Sequence, residues 1–314
     1  MTPNTTPDKL TPIPAPDTET RVKRRTRFQD IVRQLKKNKS AMFGLGMMAI
    51  IVILCVGAPL FAPHGPYDSD LDRGLKPGFW SDEMIPGYIL GTDYLGRDIL
   101  TRILYGGRVT LSVGFVALGF AVTMGIIMGT SSGYFGGMVD NVVMRVVDIL
   151  FAYPALLLAL VVAGTLGRGI DKAMLAIGIV YTPQMARVMR GAVLTIKEME
   201  YIEAEHAIGS STWRIILRHV LPNSMAPIIV YSTLMLATAI LDAAALGFLG
   251  VGAQAPSPEW GLALSISRKY LVAGAWWAAT FPGIAILISV ISLNLLGDGL
   301  RDALDPRLKG GAKL

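Results

Sequence analysis

The sequence has few of the side chains on which soluble enzymes and metalloproteins depend. Of its 314 residues, 17% are charged, one is a cysteine and three are histidines. A soluble domain is about a quarter charged, so this deficit indicates a membrane protein. The lone Cys55 excludes an internal disulfide and a cysteine-based metal site, and the histidines form no HExxH or similar ligand spacing. We therefore predict no catalytic residue, no metal and no cofactor in this chain.

Two further patterns are missing. No GxxxxGK[ST] loop occurs, so the chain has no phosphate-binding loop for ATP. Residues 1–20 are rich in Pro and Thr and have no apolar core, so they predict a disordered tail rather than a signal peptide. The net charge of +6 would suit a nucleic-acid partner, but the cations lie at the ends of apolar runs, where they determine membrane topology. No nucleic-acid partner is expected.

Long apolar runs dominate what is present. Six segments approach the ~20 residues that a helix needs to cross a ~30 Å hydrocarbon core. They are 41–62, 109–131, 142–166, 173–193, 225–249 and 276–296. Charged residues interrupt two of these segments: Arg145 and Asp148 in the third, Arg187 and Arg190 in the fourth. The pattern predicts an all-α integral membrane protein with six transmembrane helices.

Basic residues set the orientation. A basic block with an apolar stripe, 21–40, predicts an interfacial amphipathic helix on the cytoplasmic face. Six crossings then place the basic tail, 299–314, in the cytoplasm as well. The acidic segment 63–107 is predicted to be an external loop with an amphipathic helix from residue 90 onward. Asp98 and Arg102 in that helix are expected to form a modest exposed pair.

Glycines recur every four residues at positions 125, 129, 133 and 137. On a helix such a row lets a neighbouring helix approach closely. We expect this packing for Gly125 and Gly129, and a cytoplasmic turn at Gly133 and Gly137.

One polar stretch, 201–223, lies between apolar runs. Its pattern predicts a short acidic helix, a left-handed turn at Gly209, a second helix through Trp213, and then return to the membrane. Ser210 or Ser211 can cap the second helix, and Pro222 suits the first turn of the helix that follows.

This stretch resembles the EAA loop of ABC-importer permeases. The matching positions are Glu203, Ala204, Gly209, Leu221 and Pro222. Two positions depart from the pattern, because Glu205 replaces an Ala and His219 replaces an Ile. In that family the loop docks in a groove of the ATPase subunit. The resemblance therefore implies a cytoplasmic coupling loop, here called the EAA-like loop (195–223), with Trp213 in its second helix.

Further strings resemble the dipeptide/oligopeptide/nickel permease family, and within it the second, C-type permease subunit of dipeptide importers. They are LGTDYLGRDILTRILYGGRVTL, GYFGGMVDNVVMRVVDILFAYP, ALGFLGVGAQAPSPEWG and LLGDGLRDALDPRL. The resemblance implies a type I ABC-importer permease fold with a five-helix core at 108–298, in a bacterial inner membrane.

The resemblance also implies partners. They are a second homologous permease, two ATPase subunits that bind ATP and Mg, an external substrate-binding protein and the lipid bilayer. Dipeptides or oligopeptides are the expected substrates, with nickel or another small solute as an alternative within the family. From other classes, a stand-alone secondary carrier would need more intramembrane charge and inverted repeats. An intramembrane enzyme would need a buried cluster of reactive groups.

Asp242 is the one carboxylate deep in an apolar run. A charge at the bilayer centre costs about 2.5–3.5 kcal/mol on insertion scales. Two interpretations stay open: Asp242 lines the translocation path, or it forms a hydrogen bond with a neighbouring helix.

Overall fold

The structure, a computed structural model, describes residues 27–304. Within that range every regular element is helical, and β geometry is confined to an isolated bridge between Thr92 and Asp98. The prediction of an all-α protein is therefore confirmed for this part of the chain. The predicted tail at 1–20 lies outside the described residues, and so does the end of the predicted tail at 299–314.

The N-terminal part consists of α1 (Arg27–Lys37), α2 (Lys39–Val56) and α3 (Ala58–Phe61). Asn38 lies between α1 and α2. Its side-chain oxygen accepts a hydrogen bond from the Ala41 N–H at 3.1 Å, which satisfies a free donor at the start of α2. Its amide donates to Asp302 at 3.3 Å. The start of α2 is thus held beside the C-terminal end of the described chain.

An irregular segment, 62–98, connects α3 to α4 (Ile99–Phe135) and contains one 3₁₀ turn at Leu71–Arg73. Aromatic packing gives this segment an anchor. The ring of Trp80 lies 5.0, 5.8 and 5.5 Å from the rings of Trp276, Trp277 and Phe281. The segment therefore folds back onto the last long helix rather than extending away from the helices.

The amphipathic helix predicted from residue 90 is wrong for residues 90–98, because α4 begins at Ile99. Gly91 and Gly96 have φ of +77° and +71°, a left-handed backbone that interrupts a right-handed helix. A Cβ on Gly96 would also lie 1.8 Å from the carbonyl oxygen of Asp70. Backbone crowding at this point therefore excludes any residue with a side chain.

The core is the contact between α4 and α7 (Ile170–Lys197). Gly125, Gly129 and Gly133 all face α7, and a Cβ on any of them would lie 2.2–3.0 Å from atoms of that helix. The prediction of close packing at the first two glycines is confirmed. The turn predicted at Gly133 is wrong, because Gly133 lies within α4 and also packs against α7. The turn comes at Gly136 and Gly137, whose φ values are +65° and +52°.

The third predicted segment is a broken helix. It consists of α5 (Gly137–Phe151) and α6 (Ala155–Leu166), which meet at an angle of 95°. Pro154 precedes α6 directly. The residue before a proline is disfavoured in helical geometry, which explains why α5 ends before Tyr153.

The remaining long helices are α10 (Leu221–Phe248) and α12 (Trp277–Leu304), with the short α11 (Trp260–Ser267) between them. In the described part, four helical stretches are long and apolar enough to cross a membrane, or five if the bent α5–α6 pair counts as one span. They include α2, α4 and α12, and a continuous stretch, Thr212–Phe248, that contains α10. The 28-residue α7, which carries Arg187 and Arg190, is not among them.

Candidate functional site

The EAA-like loop contains two helical arms that meet at a glycine. The first arm is α8 (Glu200–Ala207), and the second begins with α9 (Thr212–Ile215). Gly209 has a φ of +76°, the left-handed geometry predicted for the turn. Ser211 occupies the cap position of α9, but its side chain makes no capping hydrogen bond. The predicted helix–glycine–helix arrangement is therefore present, without the expected serine cap.

The second arm does not stop before the membrane segment. After α9 the chain continues through a π-helical turn, Ile216–Val220, and then directly into α10. Leu221 and Pro222 are the first two residues of α10. Pro222 brings no N–H to this junction, and the side-chain amide of Asn223 donates to the His219 carbonyl oxygen at 2.6 Å. The second arm and the long helix are therefore one helical unit.

Buried side chains hold the loop against the rest of the protein. They are Ile202 on the first arm and Ile215, Ile216 and Val220 on the second. These residues pack with Tyr134, Met189, Val193 and Ile228 from α4, α7 and α10. Both arms are therefore anchored to the helices that form the core.

The opposite side of the loop is exposed. Trp213 is 66% exposed and Ile208 is 77% exposed, and Leu217 is exposed as well. Glu203 and Ala204 are also exposed. A group of large apolar side chains in solvent at a turn is typical of a protein-interaction surface. Of the predicted site residues, Trp213 is the most prominent on this surface.

The two departures from the EAA pattern lie next to each other. His219 Nε2 is 3.3 Å from Glu205 Oε1. The Ser210 hydroxyl donates to the other oxygen, Glu205 Oε2, at 2.6 Å. Glu205 therefore connects the first arm both to the residue after the glycine turn and to the second arm. The sequence alone gave no reason to expect that Glu205 and His219 would meet.

Asp242 lies on α10 and faces α7. The Tyr181 hydroxyl donates to Asp242 Oδ2 at 2.6 Å. This contact is the hydrogen bond to a neighbouring helix that one of the two interpretations required. One helical turn beyond Tyr181, the side-chain oxygen of Gln184 accepts a hydrogen bond from Tyr231 at 3.2 Å. Polar side chains thus pair along the α7–α10 contact.

Sequence reasoning missed the ion pairs between α5 and α7. Arg190 donates twice to Asp140, with both contacts at 2.6 Å, and Arg187 contacts Asp148 at 2.6 Å. The Ser132 hydroxyl also donates to Asp140. The available signal was the charge in and beside the third and fourth apolar segments, with Asp140 and Asp148 near the start of one and Arg187 and Arg190 in the other.

The expectation of an exposed Asp98–Arg102 pair is wrong. Asp98 is 1% exposed and Arg102 is 6% exposed. Arg102 Nε instead lies 3.6 Å from Asp93, and its guanidinium donates to the Ser257 carbonyl oxygen at 3.0 Å. It also donates to the carbonyl of Pro66 at 3.3 Å. Arg102 therefore joins the segment before α4 to the segment before α11.

The part of the chain between residues 27 and 304 contains no group of three or more His, Cys, Asp or Glu arranged to hold a metal ion.

A family profile described as "Binding-protein-dependent transport system inner membrane component" matches residues 121–310. The chain belongs to this family. A second profile, described as the N-terminal TM domain of oligopeptide transport permease C, matches residues 26–77. The protein is therefore a non-catalytic permease subunit of the inner membrane.

Relatives of this permease match over nearly its whole length. A dipeptide transport system permease protein from Alkalihalophilus pseudofirmus is 43% identical over 96% of this chain and 97% of its own. A di/tripeptide transport system permease protein from Pseudomonas aeruginosa is 44% identical over 88% of this chain and 90% of its own. The dipeptide permease of Escherichia coli is 43% identical over 90% of this chain and 94% of its own.

The fold also resembles a solved transporter structure. A chain of the MetNI methionine ABC transporter, in an inward-facing conformation, aligns with a TM-score of 0.52 and 22% identity. The alignment covers 65% of this permease and 96% of that chain. At this identity the likeness concerns the fold alone. The permease thus has the fold of ABC-importer permeases.

Proposed function

We propose that this permease forms half of the translocation pathway of an ATP-driven importer of dipeptides or oligopeptides. The substrate class is supported by relatives that match this permease over most of their length and are named as dipeptide or di/tripeptide permeases. The other half of the pathway is a second homologous permease. Two ATPase subunits bind ATP and Mg, and an external binding protein delivers the peptide.

The coupling role rests on how the EAA-like loop is anchored and exposed. It is anchored through buried isoleucines and presents Trp213 and Ile208 to solvent. A surface that is apolar, exposed and firmly anchored suits a loop that transmits force from an ATPase subunit. Closure of the ATPases moves the loop, and the pathway then opens alternately to the two sides because the two states differ in contact energy.

The topology we propose has six spans: α2, α4, the bent α5–α6 pair, α7, α10 and α12. Both termini are then cytoplasmic, and the basic helix α1 lies on the cytoplasmic face of the membrane. The acidic segment 63–107 is external. The Asp140–Arg190 and Asp148–Arg187 pairs support a membrane position for α7, since a paired charge costs less to bury than a lone one. Labelling of single cysteines from either side of the membrane tests this topology.

Asp242 is proposed to lie at the edge of the pathway, with Tyr181 holding its carboxylate in place. A cysteine at position 242 should react with a water-soluble thiol reagent, and ATP turnover should change its rate. The native Cys55 is 4% exposed and gives little background labelling. Complete protection in every state of the transporter would reduce Asp242 to a structural role.

Gly209 provides the test of coupling. Proline fixes φ near −65°, whereas Gly209 has a φ of +76°, so Gly209→Pro breaks the turn between the arms. We expect ATP hydrolysis without peptide import in reconstituted vesicles, with membrane insertion intact. Gly209→Asn is the matched control, because Asn tolerates the left-handed region and should keep coupling. Normal import by Gly209→Pro would refute the coupling role.

A further inference from the structure

We propose that Glu205, Ser210 and His219 form a polar clasp that fixes the angle between the two arms of the EAA-like loop, and that this angle sets how efficiently ATP hydrolysis drives transport. The proposal rests on the coupling role proposed above. It assigns a positioning function to the two residues that depart from the EAA pattern.

The clasp uses both oxygens of one carboxylate. Glu205 Oε2 accepts from the Ser210 hydroxyl at 2.6 Å, and Glu205 Oε1 lies 3.3 Å from His219 Nε2. The Ser210 N–H also donates to the Glu205 carbonyl oxygen at 3.0 Å. One oxygen of Glu205 therefore contacts the residue after the Gly209 turn, and the other contacts the second arm. Loss of the carboxylate releases both.

Local structure directs His219 toward Glu205. His219 lies in the π turn Ile216–Val220, whose wider turn rotates the side chains relative to an uninterrupted α-helix. Its carbonyl oxygen is occupied by the Asn223 amide at 2.6 Å, which keeps this turn ordered next to Pro222. Irregular helical turns of this kind are frequent at functional sites.

Within the described loop, the Glu205–His219 contact is the only one between ionisable side chains that bridges the arms. The first arm also carries Glu200, Glu203 and His206, and the second carries Arg214 and Arg218. None of these five lies within 4.0 Å of an oppositely charged partner in the part of the chain that the structure describes. The angle between the arms therefore depends on Glu205 and His219 among the ionisable groups.

The EAA pattern suggests that the two departures compensate for each other. The pattern has Ala where this chain has Glu205, and Ile where this chain has His219. Two apolar side chains can pack where Glu205 and His219 now meet, but one apolar and one polar side chain leave a half-buried group without its partner. The departures should therefore be tolerated together and not singly. Such coupling between contacting residues is what a double-mutant cycle measures.

The experiment compares the wild type, Glu205→Ala, His219→Ile and the double variant in the complete transporter, reconstituted in vesicles. The measured quantity is peptide imported per ATP hydrolysed. Each single change should lower it by about threefold or more, and the double variant should return to within about twofold of the wild type. Glu205→Gln, which keeps one acceptor oxygen and a side chain of the same length, should lose less than Glu205→Ala.

A control cycle uses Glu200→Ala and His206→Ile, which remove the same types of side chain from exposed positions of α8. Their effects should be additive, because the described structure shows no hydrogen bond or ion pair between Glu200 and His206. A second readout is the distance between spin labels at Ala207 and Arg214, one on each arm. Single clasp variants should broaden that distance distribution, and the double variant should narrow it again.

Additive losses in the Glu205–His219 cycle, or single variants that import as efficiently as the wild type, would overturn the clasp. If the EAA-like loop had no coupling role, the result would differ, because the Gly209→Pro variant would then import peptide normally. If a single variant does not assemble into the transporter, the Glu205→Gln variant and the double variant provide the test instead. If neither recovers coupling, the clasp is rejected.

Discussion

The glycine contact between α4 and α7 gives a prediction whose size can be worked out from the structure. Gly125 faces α7 so closely that a Cβ in its place would lie 2.2 Å from the Cβ of Met185 and 3.0 Å from the Ala186 nitrogen. Carbon atoms pack best at about 3.5–4.0 Å, so Gly125→Ala requires the helices to separate locally by roughly 1 Å. Helix backbones cannot move apart at one point without disturbing the contacts on either side.

Overpacking of this kind costs about 1–3 kcal/mol. Alanine also stabilises a helix relative to glycine, by up to about 1 kcal/mol, which works in the opposite direction. Gly119→Ala is the matched control, because Gly119 lies on the same helix and has no atom within 4 Å of the added Cβ in this chain. The difference between the two variants isolates the packing cost.

The assay is reversible unfolding of the purified permease in mixed micelles, followed by circular dichroism as the denaturing detergent fraction rises. We expect Gly125→Ala to lie about 1–3 kcal/mol below Gly119→Ala in free energy of unfolding. Gly129→Ala should behave like Gly125→Ala, since its Cβ would lie 2.5 Å from the Ala186 carbonyl oxygen. If Gly125→Ala and Gly119→Ala agree within about 0.5 kcal/mol, the helices are not packed through these glycines.

Three further predictions concern polar contacts. Arg102→Met should lower the free energy of unfolding by about 1–3 kcal/mol, because the carbonyl oxygens of Pro66 and Ser257 lose a donor, and faster cleavage of segment 62–98 by an added protease should report it; unchanged cleavage would contradict this. Asp140→Asn should lower the free energy of unfolding, measured by thermal denaturation, by only about 1 kcal/mol, because the Asp140–Arg190 pair is partly exposed. A loss above about 3 kcal/mol would show that Asp140 and Arg190 behave as a buried pair. Trp260→Phe should cost about 0.5–1.5 kcal/mol, because the Ile103 carbonyl oxygen, 2.9 Å from the indole nitrogen, loses one of its hydrogen bonds; a neutral result would mean that water replaces that donor.

Sequence patterns predicted the features that depend on local chemistry. The left-handed turn at Gly209 follows from the freedom of glycine to adopt positive φ, and the close packing at Gly125 and Gly129 follows from their helical spacing. Family strings supplied the fold, because a permease core has long recognisable motifs. The all-α architecture followed from the apolar runs alone.

Features that depend on contacts between distant residues were out of reach. The helix predicted from residue 90 failed because Gly96 lies against the Asp70 backbone, a contact that no local pattern reveals. The i, i+4 spacing of Asp98 and Arg102 predicts an exposed pair on a surface helix, yet Arg102 is buried and donates to carbonyl groups distant in the sequence. The meeting of Glu205 and His219 depends in the same way on how the loop folds back at Gly209.

The charges in and beside the third and fourth apolar segments include two acids and two bases that pair. Asp140 and Asp148 on α5 contact Arg190 and Arg187 on α7. Acids at the start of one apolar run and bases in the next therefore indicate that the runs are neighbours. The sequence contains these charges, but only the geometry shows which acid meets which base.

The continuity of the second arm with α10 has a mechanical consequence. Thr212–Phe248 is one helical stretch of 37 residues, about 55 Å long at 1.5 Å per residue. It behaves as a lever with Trp213 near one end and Asp242 about 44 Å away. A tilt of about 5° at the loop would displace the Asp242 end by roughly 4 Å over that length. The π turn and Pro227 are the two compliant points, so their stiffness determines how much of that displacement reaches the far end.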